Sequence, residues 1–121
     1  MPRFVVLTHD HPCLHWDLML EEGDALRTWR LEKPPENGTP IEAEPLSDHR
    51  LAYLDYEGPV SGDRGTVARW DRGTYEVLES ALGCLIVRLA GDKLDCVARL
   101  EQRLDGAGWL FQALPSPRAG S

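Results

Sequence analysis

The sequence lacks the marks of several common protein classes. No apolar run approaches the roughly 20 residues that a membrane span requires, and residues 1–4 do not begin a secretory signal. There is no internal repeat, no glycine-rich phosphate loop and no serine nucleophile elbow. We therefore expect a soluble, cytoplasmic protein without a membrane partner.

Cysteine is also scarce. The three cysteines, Cys13, Cys84 and Cys96, are an odd number and show no Cys-x-x-Cys spacing. A disulfide framework needs an even set, and a structural zinc cluster needs paired cysteines. The sequence therefore predicts reduced thiols, which agrees with the cytoplasm.

Positive charge is in deficit, with 13 basic against 20 acidic residues and a formal net charge of -7. Strong non-specific binding to nucleic acid depends on phosphate neutralisation by Lys and Arg, so any such contact must be local. The 121 residues suffice for one domain with its own core. We place that domain at residues 1–114 and expect a disordered tail at residues 115–121.

Apolar residues recur mainly with a period of two, and turn residues follow at short intervals. This pattern predicts a mostly antiparallel sheet or a small barrel, with little helix. Residues 94–104 also fit a helical stripe, although their alternation favours a strand. The predicted strands cover residues 4–8, 14–21, 25–31, 65–71, 74–79, 84–89, 94–100 and 109–114.

Glycine and proline locate the turns and one long loop. Hairpin turns are predicted at residues 22–24, 71–73 and 90–93, where Gly and Asp tolerate a positive φ. Residues 33–40 contain three prolines and one glycine, so they are predicted to form a surface loop.

The most informative run is residues 9–17, which contains three histidines and two aspartates. As a strand, residues 14–21 place His15, Asp17 and Met19 on one face, with Leu14, Trp16, Leu18 and Leu20 towards a core. A turn at Pro12 would fold His9 back beside His15 and Asp17. Two imidazoles and a carboxylate suit Mn²⁺, Fe²⁺ or Zn²⁺. The alternative is that these side chains are only solvated or hydrogen-bonded.

The remaining histidine, His49, precedes Tyr53 by four residues, a spacing that would align both on a short helical turn. One of them could act as a general acid and the other as a hydrogen-bond donor to a phosphate. The alternative is a packed tyrosine beside a hydrogen-bonded histidine. The four tryptophans could offer stacking platforms for bases, but in so small a barrel we expect them in the core.

Five ordered blocks resemble the 3'-phosphoesterase domain of bacterial DNA ligase D, and they cover nearly the whole chain. The blocks are Phe4-Val5-Val6 before His9-Asp10, Leu14-His15-Trp16-Asp17-Leu18 before Leu20-Glu21, Leu26 before Trp29, Asp48-His49 before Leu51, Tyr53 and Asp55-Tyr56-Glu57-Gly58, and Gly65-Thr66-Val67 before Trp70-Asp71-Arg72-Gly73-Thr74-Tyr75-Glu76. Gly91-Asp92-Lys93-Leu94, followed by Trp109-Leu110, also resembles that domain's last hairpin and final strand.

The resemblance implies a mostly β fold, a small antiparallel β-barrel of about eight strands with a few short helical turns. It implies a Mn²⁺-dependent enzyme, with Zn²⁺ or Co²⁺ as alternative ions, that removes a 3'-terminal ribonucleoside and then the 3'-phosphate in strand-break repair. The implied partners are DNA or RNA-tailed DNA 3' ends and a separate ligase or end-joining protein.

The resemblance also implies a role for six side chains of this sequence. The metal ligands would be His9, His15 and Asp17. His49 would be the catalytic histidine, Tyr53 would contact the scissile phosphate, and Lys33 would assist one of the two steps.

This chain departs from the family pattern where phosphate is held. Cys13, Met19 and Ile41 stand where the family has arginine, and Leu7 stands where it has glutamine. Methionine cannot provide the planar fork with which arginine grips phosphate.

Two readings follow from the lost arginines. In the first, other cations replace them and the protein is a divergent enzyme. In the second, it is a catalytically weak metal-binding accessory module that binds nucleic-acid ends or a repair partner. We favour the enzyme. A small-molecule-binding barrel with a structural metal has little support. The candidate replacement cations are Arg27, Arg30, Lys33 and Arg50.

Overall fold

The computed structural model describes residues 1–36, 38–106 and 108–115. Within them lie nine strands and one short 3-10 helix. The predicted tail at residues 115–121 falls outside the described residues, except for Pro115 at the end of the last strand. The elements are β1 (Arg3–His9), β2 (His15–Glu22), β3 (Ala25–Leu31), β4 (Ile41–Arg50), the 3-10 helix η1 (Leu51–Leu54), β5 (Gly58–Pro59), β6 (Thr66–Ala81), β7 (Cys84–Gly91), β8 (Asp95–Gln102) and β9 (Trp109–Pro115).

Eight of the strands form one closed antiparallel ring. The order is β1-β2-β3-β4-β9-β8-β7-β6, and β6 pairs back with β1 to close it. The two-residue strand β5 adds to the free part of β6. The predicted mostly β fold with about eight antiparallel strands is therefore confirmed. No helix in the described part of the chain has the length and apolar character needed to cross a membrane.

Apolar side chains from all eight strands fill the interior of the ring. Trp29 belongs to this core and is 1% exposed, with its ring 4.9 Å from that of Trp109. Trp16, Trp70 and Trp109 pack against this core, as expected for the tryptophans. Alternate residues of each strand face inward, so the residues between them form the outer surface.

A second, smaller apolar cluster lies on the outer face of β1, β2 and β3. Val5 and Leu7 alternate with the interior residues of β1, and Met19 does the same on β2. The segment between β4 and β6 crosses this face and contributes Leu54. This segment therefore covers one patch of the outer surface of the ring. Polar side chains at the edge of that patch are partly buried.

The turn predicted at residues 71–73 is wrong, because β6 runs through it without interruption. Asp71 is buried and accepts hydrogen bonds from the backbone N–H groups of Arg72, Asp92, Lys93 and Leu94. At residue 73, an added Cβ would lie 1.9 Å from the carbonyl oxygen of Ala90. The glycine is needed for close approach of two strands rather than for a turn.

Strand β4 was not predicted, because prolines precede and interrupt it. Pro45 lies opposite Trp29 of β3, and among the described residues β9 pairs with β4 only at Ile41 to Ala43. Pro45 therefore lies beyond the described pairs of β4 and β9, and its missing N–H disrupts none of them. The prediction that Leu14 faces the core is also wrong, since it is 58% exposed and β2 begins one residue later.

Candidate metal centre and cleft

The antiparallel pair β1–β2 brings the three predicted metal ligands together. β1 ends at His9 and β2 begins at His15, and these two residues are directly paired. Asp17 lies two residues further along β2, on the same outer face. The ligand atoms of His9, His15 and Asp17 all lie within 4.8 Å of one another. His15 and Asp17 are buried and His9 is partly exposed.

A backbone carbonyl fixes the protonation pattern of each imidazole. The carbonyl oxygen of Arg64 lies 2.8 Å from His9 Nε2, and that of Cys13 lies 2.8 Å from His15 Nδ1. A carbonyl oxygen can only accept, so each of these ring nitrogens must donate its proton. In the neutral rings, His9 Nδ1 and His15 Nε2 therefore carry the lone pairs.

Both lone pairs are directed to the Asp17 carboxylate. His9 Nδ1 lies 3.8 Å from Asp17 Oδ2, and His15 Nε2 lies 3.3 Å from Asp17 Oδ1. Among the described residues, His15 Nε2 and Asp17 Oδ1 are buried without a hydrogen-bond partner. Buried polar atoms left in this way are costly, and lone pairs facing a carboxylate repel it. A bound cation relieves both problems, so the donor set fits a divalent metal.

The loop that carries the Arg64 carbonyl is held against the loop that follows β1. Asp10 Oδ1 accepts a hydrogen bond of 2.8 Å from the N–H of Thr66. At Gly65, where φ is +81°, an added Cβ would lie 2.2 Å from Asp10 Oδ1 and 2.7 Å from His11 Cβ. Only glycine allows this close approach, which in turn positions the hydrogen-bond acceptor of His9.

The structure also brings His49 and Tyr53 together, although not on one helical turn as predicted. His49 lies at the end of β4 and Tyr53 within η1, with ring centroids 5.8 Å apart. His49 Nδ1 lies 2.9 Å from the carbonyl oxygen of Ser47 and must donate to it. Nε2 of His49 is therefore the nitrogen available to a ligand.

One open cleft of about 390 Å³ is lined by His9 and Asp17 of the first group and by both His49 and Tyr53, whereas the buried His15 is not part of its lining. Strands β1 to β3 supply one wall, and residues 47–53 and 60–67 supply the other. Its polar and charged lining comprises His9, His11, Asp17, Arg30, Ser47, Asp48, His49, Arg50, Tyr53 and Arg64.

Three arginines line the cleft. Arg30 lies directly opposite Asp17 on β3, and its Nε is buried without a partner among the described residues. Arg50 is exposed, and the Arg64 guanidinium donates to Ser61. Arg64 was missed by the sequence analysis, because nothing local links a loop residue to a histidine 55 positions away.

Two of the other cations considered from the sequence lie elsewhere. Lys33 is exposed in the loop after β3 and does not line the cleft. Arg27 lies on the face of β3 opposite to that of Arg30, and its guanidinium lies 5.3 Å from the centre of the Trp29 ring.

The positions that depart from the family pattern have different surroundings. Met19 is 1% exposed and packs with Leu7 in the outer apolar cluster at the edge of the cleft. Cys13 is exposed. Ile41 packs in the ring interior, away from the cleft, so it does not stand in for an arginine that contacts a ligand there.

A larger cavity lies elsewhere on the ring, beside β8 and β9, with a volume of about 550 Å³. Its lining contains no histidine or cysteine, and its arginines are paired. Arg99 lies 3.8 Å from Glu101, and Arg103 lies 3.6 Å from both Glu42 and Asp105. The smaller cleft instead brings together histidines, Asp17 and Arg30, whose Nε has no partner among the described residues. We therefore take the smaller cleft as the candidate functional site.

Comparison with known proteins agrees with this geometry. The multifunctional non-homologous end joining protein LigD of Pseudomonas aeruginosa is 33% identical over 102 residues, which cover 76% of this chain and 12% of that protein. The corresponding proteins of Mycobacterium tuberculosis and Mycolicibacterium smegmatis are 31% and 30% identical, covering 95% and 89% of this chain and 16% of each relative. This chain therefore spans less than a fifth of the length of these relatives.

The family match covers most of the chain. A sequence model of the DNA ligase D 3'-phosphoesterase domain matches residues 7–102, a range that includes the whole cleft. The chain belongs to the DNA ligase D 3'-phosphoesterase domain family.

Proposed function

We propose that this protein is a divalent-metal-dependent phosphoesterase that removes a 3'-terminal ribonucleoside or a 3'-phosphate from DNA strand breaks. One observation carries the proposal: His9 Nδ1 and His15 Nε2 both lie within 4 Å of the Asp17 carboxylate, and His9 and Asp17 line the same cleft as His49 and Tyr53. A metal site beside a histidine that is not a ligand provides a Lewis acid and a proton-transfer group, both of which can assist phosphoester hydrolysis.

His9, His15 and Asp17 would hold the ion. The mixed nitrogen and oxygen set suits Mn²⁺, with Zn²⁺ or Co²⁺ as alternatives. When bound, such an ion polarises a phosphoryl oxygen or lowers the pKa of a coordinated water. The carbonyls of Arg64 and Cys13 keep both rings in the orientation that ligation needs.

His49 and Tyr53 would act on the ester itself. With Nδ1 committed to Ser47, His49 presents Nε2 as its proton-transfer atom, suited to protonating the leaving oxygen. The Tyr53 hydroxyl can donate a hydrogen bond to a phosphoryl oxygen. We also propose that Lys33 assists from outside the cleft, where it would contact an extended substrate.

Arg30 and the two exposed arginines of the cleft would supply the charge that Cys13 and Met19 do not. Arg30 is the best placed of the three, since its half-buried guanidinium lies opposite Asp17 and its Nε has no partner in the described structure. A charge-assisted bond to phosphate would satisfy it. Because the net charge is acidic, we expect contact with a nucleic-acid end to depend on such a local patch.

We propose DNA or RNA-tailed DNA 3' ends as the substrate, a ligase or end-joining protein as the partner, and the cytoplasm as the location. A second candidate function is a catalytically weak accessory module that binds nucleic-acid ends or a repair partner. The burial of Met19 among apolar side chains favours the accessory module, because this part of the cleft wall has no positive charge with which to bind phosphate.

Cleavage of a primer-template with one 3'-terminal ribonucleotide, or with a 3'-phosphate, separates the two functions. We expect Mn²⁺-dependent release by the wild type and a loss of roughly a hundredfold or more in His49→Ala, with metal affinity unchanged. Substitution of the exposed His11, which also lines the cleft, is the matched control and should keep most activity. No release above the metal-free control, with DNA ends still bound, would select the accessory module.

A further inference from the structure

We propose that a second cavity beside the cleft binds the nucleobase of the nucleotide that carries the 3'-phosphate. This inference rests on the proposed function, in which the cleft binds the phosphoester of a DNA 3' end. The cavity has a volume of about 250 Å³ and is named here the tyrosine pocket. Its lining is Arg50, Ala52, Tyr53, Tyr56, Pro59, Val60 and Ser61.

The tyrosine pocket is continuous with the cleft. Arg50, Tyr53 and Val60 line both cavities, so Tyr53 forms part of the boundary between them. The Tyr53 ring lies 5.8 Å from the His49 ring, which lines the cleft, and 5.8 Å from the Tyr56 ring, which lines the tyrosine pocket. An ester whose phosphate lies beside His49 would therefore direct its nucleoside past Tyr53 towards Tyr56.

Tyr56 is fixed in place although 38% of its surface is exposed. Its hydroxyl donates to the carbonyl of Pro59, three residues along the chain. Gly58 has φ +140°, and an added Cβ there would lie 3.1 Å from the hydroxyl and 3.4 Å from Cζ of Tyr56. Gly58 therefore allows the chain to pack closely against the Tyr56 ring. The ring is held in one position although it lies outside the core.

An ordered, accessible aromatic ring is a stacking platform for a base. Such stacking loses little conformational entropy and does not depend on which base is bound. The pocket is smaller than typical pockets for drug-sized ligands, so it suits one unpaired ring system rather than a duplex. Arg50 at the shared boundary adds a positive charge near the sugar-phosphate link. We therefore expect recognition of a single terminal nucleotide without preference among the four bases.

Two primers test the pocket through activity. One ends in an ordinary nucleotide 3'-phosphate and the other in an abasic nucleotide 3'-phosphate. We expect the wild type to prefer the first by about tenfold in kcat/KM, mostly through KM. Tyr56→Ala should remove the preference, Tyr56→Phe should keep it because the ring remains, and Leu82→Ala, at a fully exposed tip, should match the wild type. Equal rates on both primers in the wild type would overturn the proposal while leaving the phosphoesterase function intact.

A binding measurement gives an answer without turnover. A single-stranded oligonucleotide ending in 2-aminopurine nucleotide 3'-phosphate is titrated with metal-free protein, and stacking is read as fluorescence quenching. We expect quenching with wild type and Tyr56→Phe and its loss with Tyr56→Ala. The pocket would then stand even if no cleavage were found. Absent quenching in the wild type, or equal quenching in Tyr56→Ala, would overturn it.

Discussion

Two main-chain carbonyls determine how His9 and His15 can act. Each accepts the one ring proton, so the remaining nitrogen of each ring is directed to Asp17. The sequence predicted which three side chains meet, because strand alternation and a turn at Pro12 are local features. It did not predict the Arg64 carbonyl, since the contact joins β1 to a loop 55 residues later.

At this scale we predict that Asp17→Ala weakens Mn²⁺ binding by roughly 100-fold or more. The variant removes the only anionic ligand, and outer-shell partners alone are worth about 10- to 100-fold in affinity. Calorimetric titration of folded protein with MnCl₂ measures the change. Acidification should release the ion from the wild type, because imidazole binds metal only when neutral.

His11 supplies the control for the metal prediction. It is exposed, and its ring lies 6.5 Å from that of His9, outside the three-residue ligand set. His11→Ala should bind Mn²⁺ with nearly the wild-type affinity. Equal affinities in wild type and Asp17→Ala would refute the metal centre, and a large loss in His11→Ala would show that the ligand set is different.

At the scale of elements, the two loops that bracket the metal centre act together. The loop after β1 and the loop before β6 are joined by the Asp10 to Thr66 hydrogen bond and by close packing at Gly65. These contacts place the acceptor of His9, although none of the three residues is a ligand. The loop before β6 therefore contributes to the metal site, although it supplies no ligand.

We predict that Gly65→Ala lowers Mn²⁺ affinity by about tenfold or more. The added Cβ would lie 2.2 Å from Asp10 Oδ1 and must push the loops apart, which moves the Arg64 carbonyl away from His9. Gly62→Ala is a matched control, because its φ of +75° is nearly the same as the +81° at Gly65. There the nearest atom to an added Cβ is Arg64 Nε at 3.5 Å.

Both glycine variants should lose stability from the positive φ, by about 1 kcal/mol. Only Gly65→Ala should lose metal affinity as well. Urea unfolding and Mn²⁺ titration of the two variants separate these effects. If both bind Mn²⁺ as tightly as the wild type, the contact between the loops does not position His9.

Strand β6 shows why some elements could not be predicted. The run Asp71-Arg72-Gly73 has turn composition, yet its aspartate and glycine serve contacts with the chain near residue 91. Local propensity cannot distinguish a glycine needed for a turn from one needed under a neighbouring strand. β4 was missed for a related reason, because whether a strand can contain Pro45 depends on how far its pairing with β9 extends.

At the scale of the whole molecule, the ring interior contains one titratable thiol. Cys96 is 7% exposed in the core, and burial, followed by the charges of Asp95 and Asp71, raises its pKa to about 11. Tyr75, also in the interior, has a raised pKa, mainly because of burial. Both groups are therefore neutral in the folded protein at pH values where the unfolded chain ionises them.

This shift predicts that the protein loses stability between about pH 9 and pH 11. Below pH 9 the Cys96 thiol is protonated in both states, so its contribution is fully present. Above that pH the unfolded chain releases the proton while the folded protein retains it, and the free energy of unfolding falls until the folded thiol also ionises near pH 11. The loss from this residue should reach up to roughly 2 kcal/mol.

Urea unfolding at intervals from pH 8 to pH 11.5 measures this dependence. Cys96→Ala should be less stable at pH 8, because it leaves a small cavity, yet should lose less stability on going to pH 11. Cys13→Ala, which removes an exposed thiol, should follow the wild-type curve. Tyr75 adds a loss of the same sign in every variant, so the difference between the Cys96→Ala and wild-type slopes isolates the thiol. If the free energy of unfolding fell equally steeply with pH in Cys96→Ala and the wild type, the Cys96 thiol would ionise as easily in the folded protein as in the unfolded chain. The ring interior would then admit water.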